Sequence, residues 1–101
     1  MNYRVWLFFL LLALPGWAAA AQCSVLILGD SLSSGHGLAN GAGWVDRLDA
    51  CLQKEAPGWR AINASVAGDT TQNGLQRLQP ALERHRPQGV VIELGGNDAL
   101  R

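Results

Sequence analysis

The chain has 101 residues, and its eight basic and eight acidic residues give a formal net charge of zero at pH 7. A neutral chain without a run of lysine or arginine argues against a nucleic-acid-binding protein. The two cysteines have no histidine or carboxylate neighbours at metal-ligand spacing, and the loop glycines lack the dinucleotide-binding pattern. We therefore expect neither a metal nor a cofactor.

Residues 1–21 are predicted to be a secretory signal peptide. The apolar stretch Val5–Leu14 follows one positive charge, Pro15 breaks it, and Ala18–Ala21 supplies the small residues that signal peptidase needs. The stretch is too short to span a membrane, so we expect no stable membrane insertion after cleavage. Cleavage removes one of the eight basic residues and no acidic one, which leaves a net charge of −1 on residues 22–101. These residues are expected to form one partial domain that is secreted across the inner membrane.

The first predicted strand runs through the apolar residues Ser24–Leu28. A continuous run of aliphatic and β-branched residues is typical of a buried parallel strand. Gly29 then permits a sharp turn, and Ser31 lies at the carboxyl end of the strand, where ligands bind in open α/β sheets. A serine in this position is a candidate nucleophile.

A helix is predicted between the first and second strands. Residues at three- and four-residue spacing predict one apolar stripe packed on the sheet, and Pro57-Gly58 ends the helix. The residues at this spacing, whose apolar members form the stripe, are Trp44, Leu48, Cys51, Leu52 and Glu55.

The two cysteines allow a disulfide. The predicted helix runs antiparallel to the first strand, which brings Cys51 back toward Cys23 at the start of that strand. Two cysteines in an oxidising compartment often pair. The alternative is two independent buried thiols, and both alternatives stay open from the sequence.

Arg60–Ala64 and Gly89–Leu94 are predicted to be the second and third strands. Each is followed by a polar turn that contains glycine; the first turn holds Gly68 and the second holds Asn97. The helices predicted between the strands make a βαβαβ chain of parallel strands with right-handed crossovers, so all three turns are expected at the same edge of one sheet.

A second helix is predicted between these two strands. Thr70 or Thr71 can cap its amino terminus, and Pro80 is expected to kink or restart it because proline lacks an N–H group. Its buried face is predicted to hold Leu75, Leu78 and Leu82.

The three turns resemble the first three sequence blocks of the GDSL, or SGNH, hydrolases. The stretches Asn63–Thr70 and Glu93–Asp98 are most similar to the family branch of periplasmic thioesterases, lysophospholipases and arylesterases. The resemblance implies an α/β, flavodoxin-like fold of three α/β/α layers with a parallel sheet of strand order 2-1-3-4-5, truncated in this chain after the third strand. The matching blocks are Gly29-Asp30-Ser31-Leu32, the Gly68 turn and Gly95-Gly96-Asn97-Asp98.

The resemblance also implies roles for the turn residues. Ser31 resembles the nucleophile, and the backbone N–H groups of Ser31 and Gly68 with the side-chain amide of Asn97 resemble the oxyanion hole. The implied substrate is a small carboxylic ester or thioester, such as an aryl ester, an acyl-CoA or a lysophospholipid, cleaved through an acyl-serine without a cofactor. The residues implied to shape the site are Gly29, Asp30, Leu32, Gly96 and Asp98.

The general base of this family lies in an Asp-x-x-His motif, which the sequence lacks. His36 lies in a glycine-rich loop and His85 at a helix end, so both are poor substitutes. We therefore expect an amino-terminal half domain that is inactive alone. The alternatives are a non-catalytic acyl- or glycan-binding module, a truncated remnant, and an extracytoplasmic flavodoxin-like binding protein whose Ser31 only binds ligand. The Gly-x-Ser-x-Gly elbow of lipases is absent, because Ser33 occupies the second glycine position.

Overall fold

The structure, a computed structural model, describes residues 22–100. The predicted signal peptide lies outside the described residues. The strands of this region are β1 (Cys23–Gly29), β2 (Trp59–Asn63) and β3 (Gly89–Glu93). Its helices are α1 (Ser31–Ser34), α2 (Trp44–Glu55), α3 (Thr71–His85) and a final 3-10 turn (Asp98–Leu100).

The three strands form one parallel sheet in the order β2-β1-β3, as predicted. In the register of the sheet, Val25 of β1 lies between Ala61 of β2 and Gly89 of β3. The core lies on the central strand β1, where the side chains of Leu26, Ile27 and Leu28 are fully buried. Because all three strands point the same way, the turns that follow them lie at one edge of the sheet.

Helix α2 packs on the sheet through Val45, which is 3% exposed, with Leu48 and Leu52 half-buried beside it. The predicted stripe was therefore partly wrong. Both sets of residues satisfy three- and four-residue spacing, and packing against the sheet selects the set that contains Val45. Two residues of the predicted stripe, Trp44 and Cys51, are exposed, as is Glu55 at the same spacing.

Asp49 also faces the sheet and joins α2 to β2. Its carboxylate accepts hydrogen bonds from the backbone N–H of Ala61 at 2.9 Å and from Nε and Nη2 of Arg60 at 2.9 and 3.0 Å. The hydrogen bonds from Arg60, and then the one from Ala61, lower the pKa of Asp49 to about 2. The carboxylate therefore favours the docked position of α2 in its charged form.

Helix α3 begins at a capping box, in which Thr70 accepts from the backbone N–H of Asn73 and Asn73 accepts from that of Thr70. The helix continues through Pro80 without interruption, so the predicted restart is wrong, while the alternative of a kink stays a prediction. A proline removes a single N–H donor, and here the turns on either side keep the helix intact.

The buried face of α3 differs from the predicted one. Leu75 is 67% exposed, whereas Leu78 and Leu82 are half-buried. Gly74 is the buried residue, and a Cβ at this position would overlap the side chain of Leu94. The helix therefore approaches the end of β3 through a glycine, and Leu75 lines an apolar pocket of about 150 Å³ with Ile92 and Leu94.

The two cysteines are free thiols, so of the two alternatives that the sequence left open, the disulfide is not formed. Cys23 is half-buried at the start of β1, whereas Cys51 lies on the exposed side of α2. The position of Cys51 follows from the packing stripe described above, which turns this side chain away from β1. The alternative of independent thiols holds, except that Cys51 is not buried.

Strand β3 lies at an edge of the sheet, and among residues 22–100 it pairs only with β1. The side chains of Val90, Val91 and Ile92 are all exposed, Ile92 by 59%. An apolar strand with a free edge is a surface on which another strand can pair.

No helix within the described region is both long and apolar enough to cross a membrane.

Candidate active site

Ser31 is the first residue of α1 and lies half-buried at the carboxyl end of β1. The preceding residue, Asp30, is 2% exposed and caps this short helix. Its Oδ1 accepts from the backbone N–H of Leu32 at 2.9 Å, and its carbonyl accepts from the N–H groups of Ser33 and Ser34 at 3.1 and 2.9 Å. Asp30 therefore stabilises the turn between β1 and α1, in which Ser31 lies.

Gly68 lies in the turn between β2 and α3, with a φ of +87°. Glycine adopts this left-handed conformation without steric cost. The turn is closed by a hydrogen bond from the N–H of Asp69 to the carbonyl of Val66 at 3.2 Å. The backbone N–H of Gly68 is thus held in a tight turn at the same edge of the sheet as Ser31.

Arg77 of α3 clamps the segment that contains Gly68. Its Nε donates to Oδ2 of Asp69 at 2.7 Å, and its Nη1 donates to the carbonyl of Ala64 at 2.8 Å. Its Nη2 lies 2.6 Å from the same Asp69 oxygen, an ion-pair contact without the geometry of a further hydrogen bond. One guanidinium group therefore holds both ends of the turn.

Asn97 links the turn after β3 to the other two turns. Its Nδ2 donates to the backbone carbonyl of Asp69 at 3.0 Å and lies 3.5 Å from Oδ2 of Asp30. Asp30 precedes Ser31, and Asp69 follows Gly68. The structure thus gathers at one place the three turns that the sequence pattern placed at one edge.

The remaining residues predicted to shape the site surround these turns. Asp98 accepts from the N–H and Oγ1 of Thr71 at 2.8 and 2.9 Å, which ties the turn bearing Asn97 to the start of α3. Gly96 lies beside Asp30, since a Cβ on Gly96 would be 3.8 Å from Oδ2 of Asp30. Leu32 is 73% exposed and offers an apolar surface next to Ser31.

Sequence reasoning missed a buried polar cluster behind the turn that bears Ser31. Ser33 is 1% exposed, and its Oγ donates to Oε1 of Glu93 at 2.7 Å and accepts from the indole Nε1 of Trp44 at 3.2 Å. Its carbonyl accepts from Nδ2 of Asn63 at 2.8 Å. A glutamate that closes the apolar strand Gly89–Glu93 was the available sequence signal, because a charged residue at that point needs a polar partner.

Neither histidine is in hydrogen-bond contact with Ser31 within the part of the chain that the structure describes. His36 is exposed in the loop after α1. His85 ends α3 and lines a cavity of about 410 Å³ together with Cys23 and Ser24, at the opposite end of β1 from Ser31. Among residues 22–100, the site holds a serine and amide donors, and no histidine contacts the serine.

Comparison with known proteins places the chain in a family. Residues 27–101 match the GDSL-like Lipase/Acylhydrolase family. The match covers most of the chain, so the chain belongs to this family of ester hydrolases. The three turns that meet at Asn97 lie within the matched residues.

Two curated relatives are similar over most of the chain. Thioesterase 1/protease 1/lysophospholipase L1 of Escherichia coli (strain K12) is 46% identical over 99 residues, which are 98% of this chain and 46% of the relative. Esterase TesA of Pseudomonas aeruginosa is 49% identical over 83 residues, which are 82% of this chain and 41% of the relative. The chain therefore spans less than half the length of the curated relatives it matches.

Solved structures confirm the fold class. The crystal structure of TesA superimposes with a TM-score of 0.72 at 47% identity, covering 77% of this chain and 43% of that one. AlinE4, an SGNH-hydrolase family esterase, gives a TM-score of 0.70 at 41% identity, covering 79% of this chain and 43% of that one. The α/β architecture of the SGNH hydrolases is therefore the architecture of this chain.

Proposed function

We propose that this chain supplies the nucleophile and the oxyanion hole of an extracytoplasmic serine hydrolase that cleaves small carboxylic esters or thioesters. The observation that carries the proposal is the position of Asn97. Its amide contacts the residue before Ser31 and the residue after Gly68, which brings an amide donor, a glycine turn and a serine to one end of β1. The predicted signal peptide at residues 1–21 supports the location.

In the proposed reaction, Oγ of Ser31 attacks the acyl carbonyl, and the alcohol or thiol leaves with a proton. Water then hydrolyses the acyl-serine, which releases the acid and restores the hydroxyl of Ser31. Negative charge develops on the carbonyl oxygen in both steps. The backbone N–H groups of Ser31 and Gly68 and the amide of Asn97 are donors of the kind that stabilises such an oxyanion, and one such donor is worth about 100- to 1,000-fold in kcat.

The hydrogen bonding of Asn97 suits this role. A side-chain amide carries two N–H groups, and one of them donates to the carbonyl of Asp69 at 3.0 Å. The other is left with only the long 3.5 Å contact to Asp30. The first bond fixes the plane of the amide, which leaves the second N–H as the donor available to an oxyanion.

We infer that the general base is not supplied by this sequence. The Asp-x-x-His motif is absent from it, and the chain covers only 46% of its Escherichia coli relative. The free edge of β3 offers a place where further polypeptide can pair. The chain alone is accordingly proposed to lack turnover. A second candidate is a module that binds an acyl group without cleaving it, and the exposed apolar side chains of Leu32 and Val66 support it.

The acyl group of the substrate is proposed to lie on the apolar surface around the nucleophile. Leu32 follows Ser31, and Val66 lies two residues before Gly68; both side chains are exposed. The names of the relatives include thioesterase, esterase and lysophospholipase, which agree with an acyl substrate.

The test compares the chain with a hybrid enzyme. In the hybrid, residues 22–101 are joined to the part of the Escherichia coli relative that this chain does not match. Hydrolysis of p-nitrophenyl butyrate and of an acyl-CoA is measured for both, each with Ser31→Ala. Ser65→Ala is the matched control, because Oγ of Ser65 has no hydrogen-bond partner among the described residues.

We expect hydrolysis by the hybrid, its loss in Ser31→Ala, its retention in Ser65→Ala, and no turnover by the chain alone. If the chain alone turns over the ester and Ser31→Ala abolishes this turnover, the inference that this sequence does not supply the general base is wrong. A hybrid that binds the ester without Ser31-dependent turnover would contradict the hydrolase proposal and support the binding module.

A further inference from the structure

The hydroxyl group of Ser33 is fixed between two side chains from different elements. It accepts from the indole N–H of Trp44 on α2 at 3.2 Å and donates to the carboxylate of Glu93 on β3 at 2.7 Å. A serine hydroxyl has one hydrogen to donate, so its direction is set by the carboxylate. The three residues form a directed chain from α2 through α1 to β3, and Ser33 is 1% exposed at its centre.

The carboxylate of Glu93 also reaches the nucleophile turn directly. Its Oε1 accepts from the backbone N–H of Asp30 at 3.4 Å. Glu93 lies opposite Gly29 in the sheet, and a Cβ on Gly29 would be 2.8 Å from this Oε1 and from Oγ of Ser33. The glycine before the turn therefore leaves the space that the carboxylate and the hydroxyl occupy.

The short helix α1 needs such anchors. It has four residues, and a helix of this length is not stable by itself in water. Its second residue, Leu32, is 73% exposed and contributes little to docking. The anchors of α1 converge instead on Ser33, through Glu93, Trp44 and the amide of Asn63.

We propose that Ser33 and Glu93 are positioning residues, whose hydrogen bond fixes the turn between β1 and α1 and thereby the direction of the Ser31 side chain and backbone N–H. The inference rests on the proposed role of Ser31 as nucleophile. Ser33 and Glu93 act through the turn and do not touch the substrate. A displacement of a reacting group by about 1 Å costs about 100-fold in rate, so loosening of this turn is expected to lower kcat.

The first test measures the local stability of the turn and does not depend on enzymatic activity. Amide hydrogen exchange is followed by NMR in the chain and in its variants Ser33→Ala and Glu93→Gln, with Ser65→Ala and the exposed-site variant Glu55→Gln as matched controls. The reporters are the amides of α1 that bond to Asp30. The amide of Leu26 in buried β1 is the reference for global opening.

We expect both test variants to lose at least about tenfold protection at the amides of Ser33 and Ser34, with the Leu26 amide and both controls unchanged. Unchanged protection of α1 would overturn the proposal. Equal loss at α1 and at Leu26 would also overturn it, because the cluster would then serve global stability alone.

The second test separates this inference from the proposed function. In the hybrid enzyme, Ser33→Ala and Glu93→Gln are expected to lower kcat by at least about tenfold while KM stays within about threefold. If Ser31→Ala abolishes turnover and both positioning variants keep full kcat, the inference fails and the proposed function stands. If Ser31→Ala retains turnover, the proposed function itself fails.

Discussion

The side-chain amide of Asn97 donates to the backbone carbonyl of Asp69 at 3.0 Å and so joins two turns that lie 28 residues apart in the chain. Each of these turns carries one donor of the proposed oxyanion hole. The bond fixes the amide relative to Gly68, the residue before Asp69. The distance between the two donors therefore depends on this one contact as well as on the sheet.

Replacing Asn97 by alanine is expected to lower kcat of the hybrid enzyme by about 100- to 1,000-fold, because one oxyanion donor is lost. KM is expected to change little, since the donor acts on charge that develops in the transition state. Steady-state kinetics with p-nitrophenyl butyrate measure both constants. Asn40→Ala, in an exposed loop, is the matched control and should keep wild-type kcat. An Asn97→Ala enzyme with wild-type kcat would contradict the assignment.

Replacing Arg77 by lysine is expected to loosen the Gly68 turn. Lysine cannot hold the carboxylate of Asp69 and the carbonyl of Ala64 together, because it lacks the planar fork of the guanidinium group. The expected loss is about 2 kcal/mol in the free energy of unfolding, the scale of hydrogen bonds to charged groups. Urea denaturation measures it, with the exposed Arg84→Lys as control. Equal stability of the two variants would show that Arg77 does not clamp the turn.

Gly29→Ala is expected to be destabilising by about 1–3 kcal/mol through overpacking. The new Cβ would lie 2.8 Å from Oε1 of Glu93 and from Oγ of Ser33, and 2.9 Å from the carbonyl of Glu93. The control is Gly89→Ala on β3, where a Cβ would meet only Val25 at 3.8 Å. Thermal denaturation compares the two variants, and a Gly29→Ala chain as stable as Gly89→Ala would rule out the close approach.

The lowered pKa of Asp49 predicts that the free energy of unfolding depends on pH. Its pKa is about 2 in the folded chain against an ordinary value of 3.8, so folding favours the charged carboxylate. The stabilisation is fully present above about pH 4 and is lost as the pH falls through about 2. The urea midpoint of wild type should therefore exceed that of Asp49→Asn at about pH 5, and the difference should shrink toward about pH 2. A difference that stays constant across this range, or an equal loss in Glu55→Gln, would contradict the assignment.

Much of the fold follows from local patterns in the sequence. The apolar runs predicted the three strands, and the glycine turns predicted where they end. Thr70 or Thr71 was predicted to cap α3, and Thr70 is the cap. These signals are local, because a strand run or a helix cap is set by neighbouring residues. The order of the strands then follows from the resemblance of the three turns to the first blocks of the family.

The packing of side chains was harder to predict. The spacing around Trp44 fits two stripes of α2, and only the sheet decides that Val45 is buried. The contact between Ser33 and Glu93 joins residues 60 positions apart, and it depends on the register that sets Gly29 opposite Glu93. Gly74 is buried because it has no side chain to keep the helix away from Leu94. A glycine gives no hydrophobic signal in the sequence, so this contact could not be predicted.

The most direct test of the account is to trap the acyl-enzyme of the hybrid. The enzyme is quenched in acid during turnover of p-nitrophenyl butyrate, digested, and analysed by mass spectrometry. We expect a butyryl group on the peptide that contains Ser31, and we expect the Ser31→Ala enzyme to lack both this group and turnover. Ester turnover that continues in Ser31→Ala, or that proceeds with the acyl group on another residue, would contradict this expectation.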